Sequence, residues 1–458
     1  MLLQAAAYWP GIMYWDAVRQ YGQALSGDFD DWHPPAMEWV WRRFASVWPG
    51  PAPMLLLQLG LYWAGFALLI ARAARWRVAL AVAACALLPF SLATMGSVLK
   101  DSLMAGALLS AAGLLAWGRW RWVAVALLLF AATLRFNALF AALPLLVIAL
   151  PPEWRAARLR FAGCVAAATI ALALAMPLAN RAIGAKPSGV ALSLVIFDLG
   201  GITEHSGVDA FPPLAVANPV AVNHTCYAPV RWDRYAWWVD APCPIQFAAI
   251  RDTFAARHES PYLFWLRAIL AHPLAYTEHR LAHTNINLRF LVRDEIERPV
   301  QPQSAPNPWG YAIAQNGLEQ ALDAAAVWSA GTPLGWPICW LGLALGALLI
   351  PGRGRGSVGK AFVTERSRND RLSPNWTPAF AGDQLRVALA LSALLYGGTY
   401  LIFSVAPDLR YHLWTMIAAA LAFVMAAASA PPRRVALALL PTFAVALLAA
   451  SARFGRWG

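Results

Sequence analysis

The sequence predicts an all-α polytopic membrane protein of about eleven transmembrane helices, with a mostly helical extracytoplasmic domain between the seventh and eighth. Three observations point there. The chain of 458 residues is 60% hydrophobic and only 13% charged, with a mean hydropathy of +0.51, too apolar for two or three water-soluble domains. Apolar runs of about 20 residues recur along it, the length that crosses a bilayer at a helical rise. In lipid only a helix satisfies the backbone of such a run. The basic residues fall in alternate loops, as topology-setting charges do. The 23 tryptophans suit a chain that meets the membrane–water boundary many times.

Taken in order, residues 1–13 are apolar but too short to span alone. They count as a first, truncated helix running outward, with the true start upstream of Met1. No basic leader or small-residue cleavage site is seen, so a removable signal peptide is not expected. Further spans are expected at about 52–71, 78–97, 102–118, 122–134, 137–150, 160–180, 332–350, 385–404, 412–430 and 435–452. Arg72, Arg75 and Arg77 follow the second helix, Arg119 and Arg121 the fourth, and Arg155, Arg158 and Arg160 the sixth. Arg353, Arg355, Lys360, Arg366, Arg368 and Arg371 follow the eighth, and Arg433 and Arg434 the tenth. These loops are therefore cytoplasmic, and the others face outward. Runs 122–134 and 137–150 are short for spans. A charge at mid-bilayer is costly, so a hairpin that lifts Arg135 and Asn137 to the outer surface is the favoured reading over one long helix with a re-entrant piece.

This topology divides the chain into residues 1–180, a transmembrane catalytic module with a first outer loop at 14–51; residues 181–331, an outer domain; and residues 332–458, the last helices with a cytoplasmic linker at 351–384. In the outer domain "CPIQFAAIRDTFAARH" and "YLFWLRAILAHPLAYTEHRLAHTNINLRFLV" carry apolar residues at helical spacing. His279 and His283 are four apart and read as the surface of an amphipathic helix rather than a metal pair. Cys226 and Cys243 face an oxidising compartment and invite a disulfide, worth about 3 kcal/mol in the chain-entropy account. A metal site there lacks further ligands. Cys85, Cys164 and Cys339 fall in apolar spans as small core residues. The Gly- and Arg-rich linker reads as disordered. Its end, "NWTPAFAG", resembles peptide encoded by a repeated intergenic DNA element of Gram-negative bacteria, hence an insertion. With a net charge of +12, anionic lipid headgroups are the expected partners, not nucleic acid.

The chemically capable groups collect on the outward loops. The first carries Asp16, Gln20, Asp28, Asp30, Asp31 and His33; the second Lys100 and Asp101; the third Arg135 and Asn137; the last Asp408, Arg410 and Tyr411. A carboxylate to take a proton, beside cations to hold a phosphate leaving group, suits transfer from a lipid-linked sugar. Soluble hydrolase motifs are absent, and "GRGRGSVGK" has no strand before it to make a phosphate loop.

The first outer loop, "YWDAVRQYGQALSGDFDDWHPPAMEW", resembles the polytopic glycosyltransferases of the type C fold, which include the protein O-mannosyltransferases and the lipid A aminoarabinose transferase. Asp16 takes the place of the catalytic acid after the first helix, and Asp31, His33, Pro34 and Pro35 match a later D-x-H-P-P element. "SVLKDSLMAG" resembles the second outer loop, where a lysine holds lipid phosphate; "LRFNALFAALP" and "DLRYHLW" resemble later positions. The resemblance covers the first 180 residues best. It implies an integral-membrane glycosyltransferase that passes a sugar from a polyprenyl-phosphate donor to an extracytoplasmic acceptor (glycan, lipid or protein). The active site would face the periplasm of a bacterial cytoplasmic membrane. Asp16 is the expected general base, with Asp31 and His33 beside it, and Lys100, Arg135, Arg410 and Tyr411 the expected donor-phosphate site. Many relatives have a second acid directly after the first, but here Ala17 follows Asp16. A divalent ion on Asp30, Asp31 and His33 is a candidate; a metal-free cation clamp is preferred, because the basic groups are already there. Each residue also has a plain structural role open to it: Asp16 a helix cap, Lys100 an interface anchor, Arg135 a salt bridge to Asp101, Arg410 a pair with Asp408, and Glu38 a helix start near the headgroups. The rival functions are a flippase for lipid-linked saccharides, which the acid-poor spans argue against, and an O-antigen polymerase or ligase.

Overall fold

A computed structural model describes residues 1–118, 120–155, 157–293, 298–351 and 378–455. The described residues are helical, with no β-strand among them, and the chain is a helical membrane protein in its class. Most of the expected linker 351–384 lies outside the described residues, as does Arg119. Among the described residues, five helices are long and apolar enough to cross a membrane: Ala52–Arg72, Arg158–Ile183, Asp383–Phe403, Leu409–Ala427 and Pro432–Phe454.

The other expected spans take different forms. The run at 78–97 is not one rod: Trp76–Ala86 and Pro89–Met95 meet at a 55° bend. Pro89 has no N–H to continue the ladder, and the residue before a proline is pushed out of helical geometry; Leu88 has ψ 123. The bend frees carbonyls that lipid would leave unpaired. Tyr62 Oη donates to Ala86 O at 2.8 Å, and Gln58 Nε2 donates to Met95 O and Ser97 O, each at 2.7 Å. The 122–150 stretch is two 12-residue helices, Arg121–Ala132 and Ala138–Ala149, packed together and joined by a turn that carries Arg135. The run at 332–350 is a 13-residue helix, Pro337–Leu349, and within 1–13 only Leu2–Ala7 is α-helical.

By contacts the chain forms two units, and each is made of separate stretches of sequence. The first contains residues 1–186, 298–397 and 410–447. Its centre is the pair Ala52–Arg72 and Lys100–Trp117. A Cβ at Gly65 would stand 2.7 Å from the backbone of Leu109, and one at Gly113 would stand 2.9 Å from Gly65 O. Glycine is what lets the two backbones approach, as membrane helices without a hydrophobic driving force require. This pairing aligns the N-terminus of Lys100–Trp117, and hence Lys100 and Asp101, in the first unit.

The second unit contains residues 187–297, 398–409 and 448–458. Leu192–Ser206 packs on Pro273–Asn287, with Pro219–Cys226, Phe247–Ala256 and Pro261–Ala271 around them. A disulfide joins Cys226 to Cys243. The amphipathic reading of Pro273–Asn287 holds, but its polar stripe is turned inward: His279 and His283 are both fully buried, not a surface. Asp198 is the reason. Its carboxylate takes the Arg280 guanidinium, the Trp265 indole N–H at 2.8 Å and His279 Nε2–H at 3.1 Å. Tyr227 Oη donates to His279 Nδ1 at 2.9 Å. His283 donates from Nδ1 to Pro229 O at 2.7 Å and faces Ser404 Oγ through Nε2 at 2.8 Å. Burial holds both imidazoles below the ordinary range, His283 at about 3, so both are neutral. Such a buried polar network favours one arrangement of the helices.

Candidate functional site

Asp16 lies in the first turn of the Trp15–Ser26 helix, where the N-terminal dipole favours a negative charge. Its Oδ2 accepts from Lys100 Nζ at 3.0 Å and from Arg410 Nη2 at 3.0 Å. The three residues come from three distant stretches: the first loop, the N-terminus of Lys100–Trp117 and the 3-10 turn Leu409–His412. The Asp16 side chain keeps 25% of its exposure, while Lys100 keeps 10% and Arg410 11%. The carboxylate is thus the most accessible of the three. Burial alone would raise the Asp16 carboxyl; the Lys100 ammonium, then Arg410, overturn this and hold it well below the usual carboxylate range.

His33 closes one side. Lys100 Nζ donates to His33 Nδ1 at 3.2 Å. That contact assigns the ring proton to Nε2, which faces Asp16 Oδ1 at 3.8 Å. Burial, with Lys100 next, lowers His33 to about 3, so the ring is neutral and the contact with Asp16 is polar rather than ionic. His33 therefore orients Lys100 and offers an N–H toward Asp16; its lone pair is already spent on Lys100. Pro34 and Pro35 fix the backbone directly before the Ala36–Ala45 helix, which sets where His33 points.

A second ion pair adjoins the first. Arg135, from the hairpin turn, binds the buried Asp101 through Nη1. Its Cζ lies 4.3 Å over the Tyr411 ring, and Arg410 Cζ lies 5.5 Å from the same ring. Tyr411 thus contacts both guanidiniums through its ring. The cluster brings three cations, Lys100, Arg135 and Arg410, together with two carboxylates, Asp16 and Asp101.

Not all expected residues meet there. Asp30 is held by Arg19 and by Gln23 Nε2 at 2.9 Å, and its Oδ1 accepts from Trp32 N–H at 3.0 Å. Asp31 is anchored through its backbone N–H to Lys186 O at 3.0 Å, and Asp28 pairs with Lys186. These acids pin the loop. Among the described residues no three His, Cys, Asp or Glu side chains converge as metal ligands. The Asp30, Asp31 and His33 set does not fit a divalent ion: Asp30 is taken by a cation, and an ammonium sits on the His33 nitrogen that would ligate.

Glu38 starts a helix as expected, in the first turn of Ala36–Ala45, but its side chain is interior: it is 1% exposed, on a buried stripe with Met37 and Trp41. Burial, then Asp30, raises its carboxyl to about 8, against the opposing pull of Gln20, Lys100 and Arg19. It is a neutral acid at pH 7. The signal was available: Glu38 and Trp41 are i, i+3 neighbours, so a glutamate stands in the apolar register.

No family model, no curated protein and no solved structure matches the chain.

Proposed function

We propose that the protein is an integral-membrane glycosyltransferase of the type C architecture, with about eleven spans, in a bacterial cytoplasmic membrane with its site facing the periplasm. It transfers a sugar from a polyprenyl-phosphate donor to an extracytoplasmic acceptor. The observation that carries this reading is the single carboxylate of Asp16 held by both Lys100 and Arg410.

The chemistry follows from that arrangement. In the structure both cations rest on Asp16 and keep it ionised but weakly basic. A donor phosphate offers them a stronger partner. As they turn to it, Asp16 loses its counter-charges and its basicity rises toward that of an ordinary carboxylate. The acceptor hydroxyl then attacks the anomeric carbon. Its proton passes to Asp16 Oδ1, the oxygen that carries neither cation. The bond from the anomeric carbon to the phosphate oxygen breaks, and the electron pair leaves with the polyprenyl phosphate, whose charge Lys100 and Arg410 absorb. The Tyr411 ring packs against Arg410. Base strength is thus switched on by donor binding, which protects a resting site from idle proton transfer.

The test is transfer of sugar from a synthetic polyprenyl-phosphate donor by purified protein, comparing wild type with Lys100→Met and Arg410→Met. Loss of donor binding in both supports the reading; donor binding unchanged in both refutes it.

A further inference from the structure

We propose a second lipid site, for one acyl chain of an anionic phospholipid, in a cavity of about 480 Å³ at the Arg121 and Leu150 end of the first unit. It is walled by Val125 and Leu129 of Arg121–Ala132, by Leu146 and Leu150, and by Gly163 and Ala167 of Arg158–Ile183. The Arg135 turn lies at the opposite end of the same hairpin, and none of Asp16, Lys100, Arg135 and Arg410 lines this cavity.

Three features identify the occupant. The wall is apolar throughout except for Arg160, so a saturated chain fits and a sugar or nucleotide does not. Its size lies within the range of about 300–1,000 Å³ for small-ligand pockets. One wall is a candidate membrane span that is only 17% buried over its apolar window, so the cavity lies against a lipid-facing helix. At the rim stand Arg160 and, half-exposed, Trp154, with Arg158 exposed close by in sequence. A basic rim between membrane helices recognises the phosphate of an anionic headgroup, and tryptophan settles at that depth. Arg155 does not line the cavity and is otherwise engaged: it donates to Leu150 O at 3.1 Å and to Gln384 Oε1 at 3.3 Å.

The cavity offers a clean plug. A Cβ at Gly163 would meet no other atom within 4 Å, so a large side chain there fills space without a clash at its base. Full-length protein in detergent would be incubated with phosphatidylglycerol or phosphatidylcholine, and retained lipid counted by native mass spectrometry. Wild type should retain phosphatidylglycerol about tenfold better than phosphatidylcholine. Gly163→Phe should lose that retention about tenfold, and Arg160→Gln should keep a lipid but bring the two headgroups within about twofold. Should Gly163→Phe not fold, Ala167→Leu plugs the same wall. Equal retention of both lipids by wild type overturns the proposal, as does unchanged retention in the folded plug variant. Displacement of phosphatidylglycerol by an equimolar polyprenyl phosphate also overturns it, because the cavity would then hold a donor tail.

Discussion

Lys100 reaches Asp16 across 84 positions of sequence, and its Nζ divides its protons between Asp16 Oδ2 at 3.0 Å and His33 Nδ1 at 3.2 Å. One ammonium therefore sets the charge of the carboxylate and the tautomer of the imidazole together. Removing it should raise the Asp16 carboxyl toward the ordinary range, since the foremost lowering influence is gone. Infrared difference spectra of Lys100→Met against Lys100→Met/Asp16→Asn should show a protonated carboxyl appearing as pH falls, at a higher pH than in the wild-type pair. The sign for stability is fixed as well. Asp16 is depressed when folded, so its ionised form stabilises the fold above its ordinary value of 3.8, and that contribution is lost as pH drops below.

Arg135 and Asp101 make the prediction about packing. Asp101 is buried, and Arg135 is its cation. Arg135→Ala leaves a buried charge alone and should cost about 3–5 kcal/mol. The double variant Arg135→Ala/Asp101→Ala should recover much of the loss in chemical denaturation from micelles. Equal loss in single and double variants would mean that the ion pair is not what matters there.

Glu38 supplies a pH dependence. Its folded carboxyl titrates near 8 against an ordinary 4.5, so its neutral form stabilises fully below about 4.5 and that contribution is lost as pH rises to about 8. Glu38→Gln keeps the shape and removes the titration. Its thermal midpoint should vary less than that of wild type between these two pH values, and the gap between the two proteins should widen as pH rises.

The Cys226–Cys243 bridge closes a loop of 17 positions in the second unit. Replacing both cysteines by serine should lower the stability of that unit by about 2–4 kcal/mol. Hydrogen exchange would register faster opening in Pro219–Cys226 and Phe247–Ala256, with Ala52–Arg72 unaffected.

The polarity of the chain, read alone, locates most of the Asp16 cluster. Asp16, Lys100, Arg135 and Arg410 are charges at the ends of apolar runs, and such charges must find partners or water. Their pairing was harder to read. The Arg135–Asp101 pair is among the roles the sequence leaves open, but Asp16 with Arg410 depends on how distant stretches pack, which no local pattern encodes. Burial of polar residues was the main error. His279, His283 and Glu38 look like surface groups by chemistry; they are interior because Asp198 gathers one set and the apolar face of a short helix carries the other. Pro89 was a break signal inside the expected span at 78–97 and outweighed its hydropathy.

Turnover by Asp16→Asn tests the central claim most directly. The variant keeps the size of the side chain and its contacts as acceptor, but cannot take a proton as a carboxylate does. Purified wild type and variant would be compared for sugar transfer from a polyprenyl-phosphate donor, with donor binding measured alongside. Loss of a single general base of this kind costs about 10²–10⁴-fold in rate, and donor binding should persist because Lys100 and Arg410 remain. A variant that binds donor and transfers sugar at the wild-type rate would contradict the account.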